Sequence, residues 1–481
     1  MRRLLLFSVV AVLVTLASEL PTSASIPAWR AAQLAALPQG AVSIPDGFLP
    51  TLSCVSAGNC EAGGAYTNTH GDVEGLLLNE TAGTWTAPST LIAPADAAAN
   101  PGVTIYDLSC GALGNCAAVG SYSNTAGATE AFVANEVSGH WGAAHAVTLP
   151  ANALVKGQNA LVRSVDCPAA GTCSAVGNYE DNDPLASRNE GFSLSETKNS
   201  WGPAREITFA TRTNFNPFVS MSQIACSAST DCTAVGSFID ANDVTEGLLL
   251  DENNGVWANA RSLALPANAS AFAGASLSAV TCVRGSSCAV LGTFNTTTGA
   301  VDALVATNRD GAWSQSRELT MPANAATNPH VFLYGFTGIA CANATSCAVG
   351  GQYEDTSGDY QGFLADEDHG VWSGAVELSL PSGARQAGKN GGVVALACPA
   401  TGNCRASGAY VDAAGNYQAV VVDQEDGLWQ RGSKVILPGG AASVGVDGGI
   451  YSLLCASPSS CVGTGSYLKS AGTYEGFTLS G

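Results

Sequence analysis

The chain has little charge and is short of the positive sign. Only 12% of its 481 residues are Asp, Glu, Lys or Arg, and 19 basic side chains face 39 acidic ones for a formal charge of -20. Nucleic acid is excluded as a partner, because its binding depends on cationic neutralisation of phosphates. Histidine is scarce as well. The five present, His70, His140, His145, His330 and His369, stand at no repeated offset from the cysteines, so no zinc spacing is formed. Beyond the first residues no apolar run approaches the roughly 20 needed to cross a bilayer. No Gly-x-Ser-x-Gly elbow or Ser-His-Asp arrangement can be composed.

Cysteine is plentiful and regularly placed. Sixteen cysteines form eight pairs in one frame, C-x5-C-x3-G-x-[YF]: Cys54/Cys60, Cys110/Cys116, Cys167/Cys173, Cys226/Cys232, Cys282/Cys288, Cys341/Cys347, Cys398/Cys404 and Cys455/Cys461. Six residues after each second cysteine stands Tyr66, Tyr122, Tyr179, Phe238, Phe294, Tyr353, Tyr410 or Tyr467. An even count at fixed spacing reads as a disulfide framework, each cysteine bonded to its partner six residues away. The N-terminus agrees with an oxidising compartment. Arg2 and Arg3 precede an apolar run at 4–16 and small residues up to Ala24, which predicts a signal peptide over 1–24 and a secreted, periplasmic or extracellular protein. Residues 25–481 are then expected to form one domain.

Each unit carries the same punctuation. After the cysteine frame comes an apolar run such as EGLLLDE at 246–252, and a tight turn with Gly or Asn two residues before a tryptophan. Nine residues after Trp comes proline, as at Pro94 and Pro266, which can end a strand by withholding a ladder donor. Four strands follow per unit: A into the first cysteine, B from the second, C through the apolar run and D from Trp. The last unit stops at Gly481 before its Trp strand, whereas AWRAAQLAALP at 28–38 is a Trp strand with no cysteine unit before it. The sequence therefore predicts an all-β, eight-bladed β-propeller of four-stranded antiparallel blades, closed when the N-terminal strand completes the last blade.

The frame resembles secreted bacterial β-propeller repeat proteins with SC-x5-C-x-AVG repeats, through TCSAVGNY at 172–179 and DCTAVGSF at 231–238. It is more distantly similar to the Asp-box propellers of sialidases, which also place Gly before Trp at the third turn of the blade. That second resemblance implies three arginines at the ring centre. Here Arg205, Arg261 and Arg317 belong to outer strands D, and only Arg163 falls on a strand A; Arg188, Arg212 and Arg385 lie in connections.

The repeated Trp and Tyr/Phe are expected to pack between blades, so function should lie where repeats differ. Length varies in the B-to-C and D-to-A connections, which share one face of the ring. Tyr106, Phe218, Phe332, Tyr334 and Tyr451 are the candidate ligand-binding residues near the channel mouth on that face. The expected function is noncatalytic binding of a glycan, peptide or cell-envelope component by a monomer. The alternative is a glycoside hydrolase or related polysaccharide-active enzyme using carboxylates on the same face. No cofactor is expected. A calcium site among Asp181, Asp183, Asp240, Asp243, Glu354, Asp355, Asp359 and Asp412 is the lesser reading of acids that suit solvated turns.

Overall fold

A computed structural model of the chain describes residues 28–43, 49–154, 159–183, 188–211, 213–271, 274–285, 287–309, 311–333, 338–385, 390–442, 447–470 and 472–481. The signal-peptide segment, Arg212 and Tyr334 lie outside them. Among the described residues there is no helix, and eight antiparallel sheets follow one another along the chain as the blades of a β-propeller. The A strands are Thr51–Ser56, Thr104–Ala112, Leu161–Ala169, Ser220–Ala228, Ala275–Val283, Ile339–Asn343, Gly391–Ala400 and Gly448–Ser457. The B strands are Asn59–Asn68, Asn115–Ser123, Thr172–Glu180, Asp231–Ile239, Ser287–Asn295, Ser346–Glu354, Asn403–Val411 and Ser460–Leu468. The C strands are Val73–Thr81, Thr129–Val137, Asn189–Thr197, Thr245–Asn253, Val301–Arg309, Tyr360–Asp368, Tyr417–Glu425 and Tyr474–Ser480.

Strand C reads as a nearly continuous apolar run because the blades on either side bury both of its faces. Leu248, Leu249 and Leu250 are all buried, as are Leu76, Leu77 and Leu78. The repeated Tyr or Phe is buried in every blade, where each ring contributes about 2 kcal/mol of hydrophobic burial. The tyrosine hydroxyls find partners at the blade edge, Tyr122 with Asp96 and Glu130, Tyr353 with Asn324.

All eight disulfides join the expected partners across the end of the A–B hairpin, with Cα–Cα separations of 3.9 to 4.1 Å. Such a framework belongs to an oxidising environment. The two cysteines of a pair are not equivalent, however, although the frame treats them alike. The second one, Cys60, Cys116, Cys173, Cys232, Cys288, Cys347, Cys404 or Cys461, is buried in every blade, whereas the first is only half-buried except at Cys167 and Cys226. Strand B is the cause, since it lies inside its sheet between A and C and is covered by a neighbouring blade. Cys173 accordingly belongs to the core shared by blades 2 and 3, Cys232 to that of blades 3 and 4, Cys288 to that of blades 4 and 5, and Cys60 to that of blades 8 and 1. These cysteines are core residues.

Strand D departs from the sequence expectation. In place of one continuous strand from Trp to Pro, it pairs with strand C in two short pieces, for instance Val256–Trp257 and Arg261–Ser262 in blade 4. The residue between them turns outward to the preceding blade. Ala144, Ala204, Ala260, Ser316, Ala375 and Gly432 donate their N–H to Ile92, Thr148, Thr208, Ala264, Thr320 and Ser379 of the blade before. The D strands thus divide their donors between their own sheet and the rim of the ring. Trp side chains reinforce the rim: Nε1 of Trp201, Trp313 and Trp429 donates to Asn135, Asp251 and Asp366 on strand C of the preceding blade.

The ring closes through the N-terminal segment. Gln33–Leu34 pairs with Tyr474–Ser480 as the outer strand of blade 8, and Trp29 Nε1 donates to Asp423 of blade 7 at 3.2 Å. Ala32 N–H donates to Ile436 O of blade 7, as its counterparts do elsewhere. At the junction of blades 8 and 1 the corresponding residue is Pro88, which has no N–H to give.

Candidate functional site

The A strands touch one another all around the ring, blade 8 against blade 1 included, and so line the central channel. Most of them carry a β-bulge, and the frame glycine makes it possible. A Cβ at Gly120 would lie 1.9 Å from Thr104 O, and one at Gly465 would lie 2.1 Å from Gly449 O, so strand A can approach strand B only over glycine. A bulge re-aims the extra side chain. The register shifts fall on Tyr106, Arg163, Ser222, Ser278, Val394 and Tyr451. Two of the five candidate residues therefore occupy the same bulge position, on blades 2 and 8. Their hydroxyls are held alike, accepting from Ser121 and Ser466 at 3.2 Å each. Arg163 stands 5.8 Å from the Tyr106 ring centroid. Tyr451 is 39% exposed, yet burial within the concave wall still pushes its phenol above the ordinary value, an effect the Ser466 hydrogen bond opposes.

The other described candidates sit on the D-to-A connections. Phe218 leads from blade 3 into blade 4 and is 51% exposed, with φ at 40°, where a side chain is strained; the junction of blades 1 and 2 has Gly102 at the matching place in Asn-Pro-Gly. Asn216 Oδ1 stabilises the turn by accepting from Phe218 N–H and Asn189 N–H. Phe332 leads into blade 6, pairs with Gln352 of strand B and is 54% exposed. Sequence reading missed three further aromatics on this face. Phe215 lies under the Arg188 guanidinium, 4.0 Å from it, while Tyr360 and Tyr417 begin their C strands. For Tyr360 and Tyr417 the signal was an aromatic at the first residue of strand C, where five other blades have Val, Thr or Asn. Among the described residues every exposed aromatic, Phe215, Phe218, Phe332, Tyr360, Tyr417 and Tyr451, belongs to the B-to-C and D-to-A face. The opposite face exposes aliphatics such as Leu113 and Val256.

The acids of this face are largely engaged in turns. Asp240 Oδ1 accepts from Asn242 N–H and Val244 N–H, Asp355 Oδ1 from Ser357 and Asp359, and Asp412 Oδ1 from Ala414 and Asn416. Burial pushes Asp240 and Asp412 up, but these hydrogen bonds outweigh it and hold both below the usual carboxylate range. Asp181 and Asp183 pair with Arg188, and Glu354 with His330. No group of three or more His, Cys, Asp or Glu among the described residues is arranged to hold a metal ion. Arg205, Arg261 and Arg317 stand on the outermost strands of three blades and do not meet at the ring centre.

Two acids of the channel wall have raised pKa values. Burial, partly offset by hydrogen bonds, pushes Asp166 up to about 6 and raises Asp107 too. Their oxygens are engaged between blades: Asp107 accepts from Thr51, Leu108 N–H, Ser164 and Val165 N–H, and Asp166 from Ser109 and Cys226 N–H. They tie inner strands together.

A groove of about 1050 Å³ lies between blades 6 and 7 on the outer wall, beside Trp372 and Trp429. Smaller grooves recur at other blade junctions, so the type belongs to the scaffold.

No family model and no curated protein matches the chain. Several solved structures align with it at low identity. A puromycin-hydrolysing peptidase of Mycobacterium tuberculosis is 14% identical, with 90% of this chain and 61% of that one covered and a TM-score of 0.45. The chain thus spans less than two thirds of that protein. An ulvan lyase bound to its saccharide is 9% identical over 93% of this chain and 95% of that one, with a TM-score of 0.41. A subtype N11 neuraminidase-like protein of a flat-faced bat isolate is 11% identical over 69% of this chain and 90% of that one, with a TM-score of 0.35. At this distance the activities in those descriptions remain those of the other proteins.

Proposed function

We propose that the protein is a noncatalytic binding propeller that takes a glycan on the face formed by its B-to-C and D-to-A connections. The observation that carries the reading is the confinement of all exposed aromatics among the described residues to that one face. Phenyl and phenol rings stack on the apolar faces of sugars, and a rigid ring of blades offers them without ordering cost. Ser222 and Ser278 at the bulges supply short polar groups for sugar hydroxyls. The strained φ of Phe218 supports the same reading, since a side chain in that region costs of order 1 to 3 kcal/mol and is kept where something else requires it.

A hydrolase on this face would need one carboxyl poised as an acid near neutral pH. The turn acids Asp240 and Asp412 are held low, and Asp181, Asp183 and Glu354 are paired. The two raised acids of the channel wall have their oxygens occupied, and Glu190 and Asp302, raised to about 7 and about 6 at the start of their C strands, are buried, which favours binding. The test is a glycan and peptide array probed with the purified chain, beside a panel of chromogenic glycosides. Saturable glycan binding without turnover is expected. Turnover lost on Asp183→Asn would replace the binding reading with the enzymatic one, and capture by peptides alone would replace the ligand class.

A further inference from the structure

The grooves of the outer wall are related by the repeat but differ in charge. Between blades 5 and 6 the groove, about 320 Å³, contains the guanidinium of Arg309, the last residue of strand C, which donates to Glu367 Oε1 at 2.8 Å. It lies over Gly370, where a Cβ would meet Arg309 Nη1 at 2.6 Å. Between blades 7 and 8 the guanidinium of Arg405 stands 5.0 Å from the Trp29 ring centroid and 3.2 Å from Asp423. Between blades 4 and 5 Arg261 pairs with Asp251 at 2.7 Å, and Trp313 Nε1 donates to the same carboxylate. Three junctions thus bring an arginine of the chain itself to a carboxylate near the end of a C strand, Glu367 of the following blade for Arg309 and Asp251 and Asp423 of the same blade for Arg261 and Arg405.

The junction of blades 1 and 2 reverses the pattern. Thr81, exposed, stands where blade 5 has Arg309, and Ser89 where it has Arg317. Glu136 takes the place of Glu367, Trp141 that of Trp372 and Gly139 that of Gly370. No protein atom comes within 4 Å of a Cβ built at Gly139. The position after the second cysteine, Ala289 in blade 5 and Arg405 in blade 7, is Glu61. The resulting groove, about 390 Å³, includes Glu61 and Glu136 in its wall but no Lys or Arg. The two glutamates are 4% and 3% exposed, and Oε2 of each lacks a hydrogen-bond partner among the described residues. A buried acceptor left unmatched costs about 1 to 3 kcal/mol, more when charged.

We infer that this groove binds the guanidinium of an arginine side chain from a partner polypeptide, held by Glu61 and Glu136 beside Trp141 as Arg309 is held between blades 5 and 6. The site is separate from the aromatic face and does not depend on what that face binds. Planar fork geometry suits a guanidinium to two carboxylates better than an ammonium. Its arrival also removes the repulsion between the two acids. Burial and then the charge of Glu136 push Glu61 up to about 8, against the Asn79 hydrogen bond, and burial raises Glu136 and Glu80. The charge of His140 opposes the effect of burial and lowers Glu136. Binding therefore releases protons, and affinity rises with pH through about 8.

The experiment is calorimetry on the full chain with the peptide Ac-Gly-Arg-Gly-NH2 and its citrulline counterpart, at pH 6 and pH 8.5 and in buffers of different ionisation enthalpy. The arginine peptide is expected to bind at least about 10-fold more tightly than the citrulline one, more tightly at the higher pH, and with buffer-dependent heat. Thr81→Arg, which supplies the guanidinium from within as blade 5 does, should abolish binding without lowering Tm. Glu136→Gln should weaken it at least about 10-fold. Equal binding of the two peptides, no binding of the arginine peptide, or full binding by a folded Thr81→Arg protein would each overturn the inference.

Discussion

Gly120 and Gly465 hold positions where a methyl group has no room, since the strand-A bulge sets a carbonyl oxygen about 2 Å from the place a Cβ would take. Gly120→Ala should therefore cost about 3 kcal/mol and disturb the bulge that presents Tyr106. Gly127→Ala is the control. Its φ of 79° is left-handed but nothing lies within 4 Å, so it should cost only about 1 kcal/mol. Urea denaturation of both variants checks this, and equal costs would argue against the bulge as the reason for the frame glycine. The residue scale was also where sequence reading went furthest and stopped shortest. Cysteine spacing disclosed all eight disulfides because a hairpin end brings its partners together by local geometry alone. The burial of the second cysteine, as at Cys116 or Cys461, was not legible in the same frame, because it depends on the blade packed against strand B. The charge pattern of Glu61 and Glu136 went unnoticed because it arises between residues 75 positions apart on two blades, and only the comparison of junctions gives it meaning.

At the scale of elements, strand D shows what a pattern of residues can and cannot tell. Trp and the Gly turn marked its start correctly, whereas its second piece ends before the proline, at Ser262 against Pro266 in blade 4, and the proline opens the following turn. Its division into two pieces was not legible, because the cause is the carbonyl of another blade, seen in Ala144 N–H to Ile92 O and its counterparts. The N-terminal segment obeys the same rule, with Ala32 reaching Ile436 and Gln33–Leu34 completing blade 8. Deleting residues 28–38 should expose the Tyr474–Ser480 edge, lower Tm by several degrees and promote association. Light scattering and a thermal scan would detect this; a truncated chain that stays monomeric with an unchanged Tm would contradict closure through that segment. Ala32→Pro, which removes one rim donor but keeps the strand, should show a smaller loss of about 1 kcal/mol.

For the whole molecule the buried acids dictate an unusual pH dependence. Burial, with neighbouring acids, pushes Glu190 up to about 7 and Asp302 up to about 6; burial pushes Glu196 up to about 7 against the Asn135 hydrogen bond, and Glu61 stands at about 8. These groups keep protons in the folded chain at pH values where the unfolded chain has released them. Their contribution is thus fully present below the ordinary values, 4.5 for the glutamates and 3.8 for Asp302, and is lost as pH rises towards 8. Self-repulsion at a formal charge of -20 acts in the same direction. The unfolding free energy from urea denaturation should be higher at pH 5 than at pH 8, by on the order of 2 kcal/mol; a stability that rises over that interval would refute the assignment. The lowered Asp240 and Asp412 work oppositely, but only as pH falls below their ordinary value of 3.8.

The division of the ring into two faces was legible from where repeat length varies, and the structure distributes its exposed aromatics along the same division. The exposure of Phe215, Tyr360 and Tyr417 on that face was less legible, because they carry no motif and come together only when strands from different blades share a surface. The most direct test of the account is the affinity of the array-selected glycan for four variants of the chain. Phe218→Ala and Tyr451→Ala should weaken binding at least about 10-fold, whereas Asn115→Ala and Ser459→Ala, in A-to-B turns on the other face, should leave it unchanged. Loss of affinity in the second pair with none in the first would contradict it.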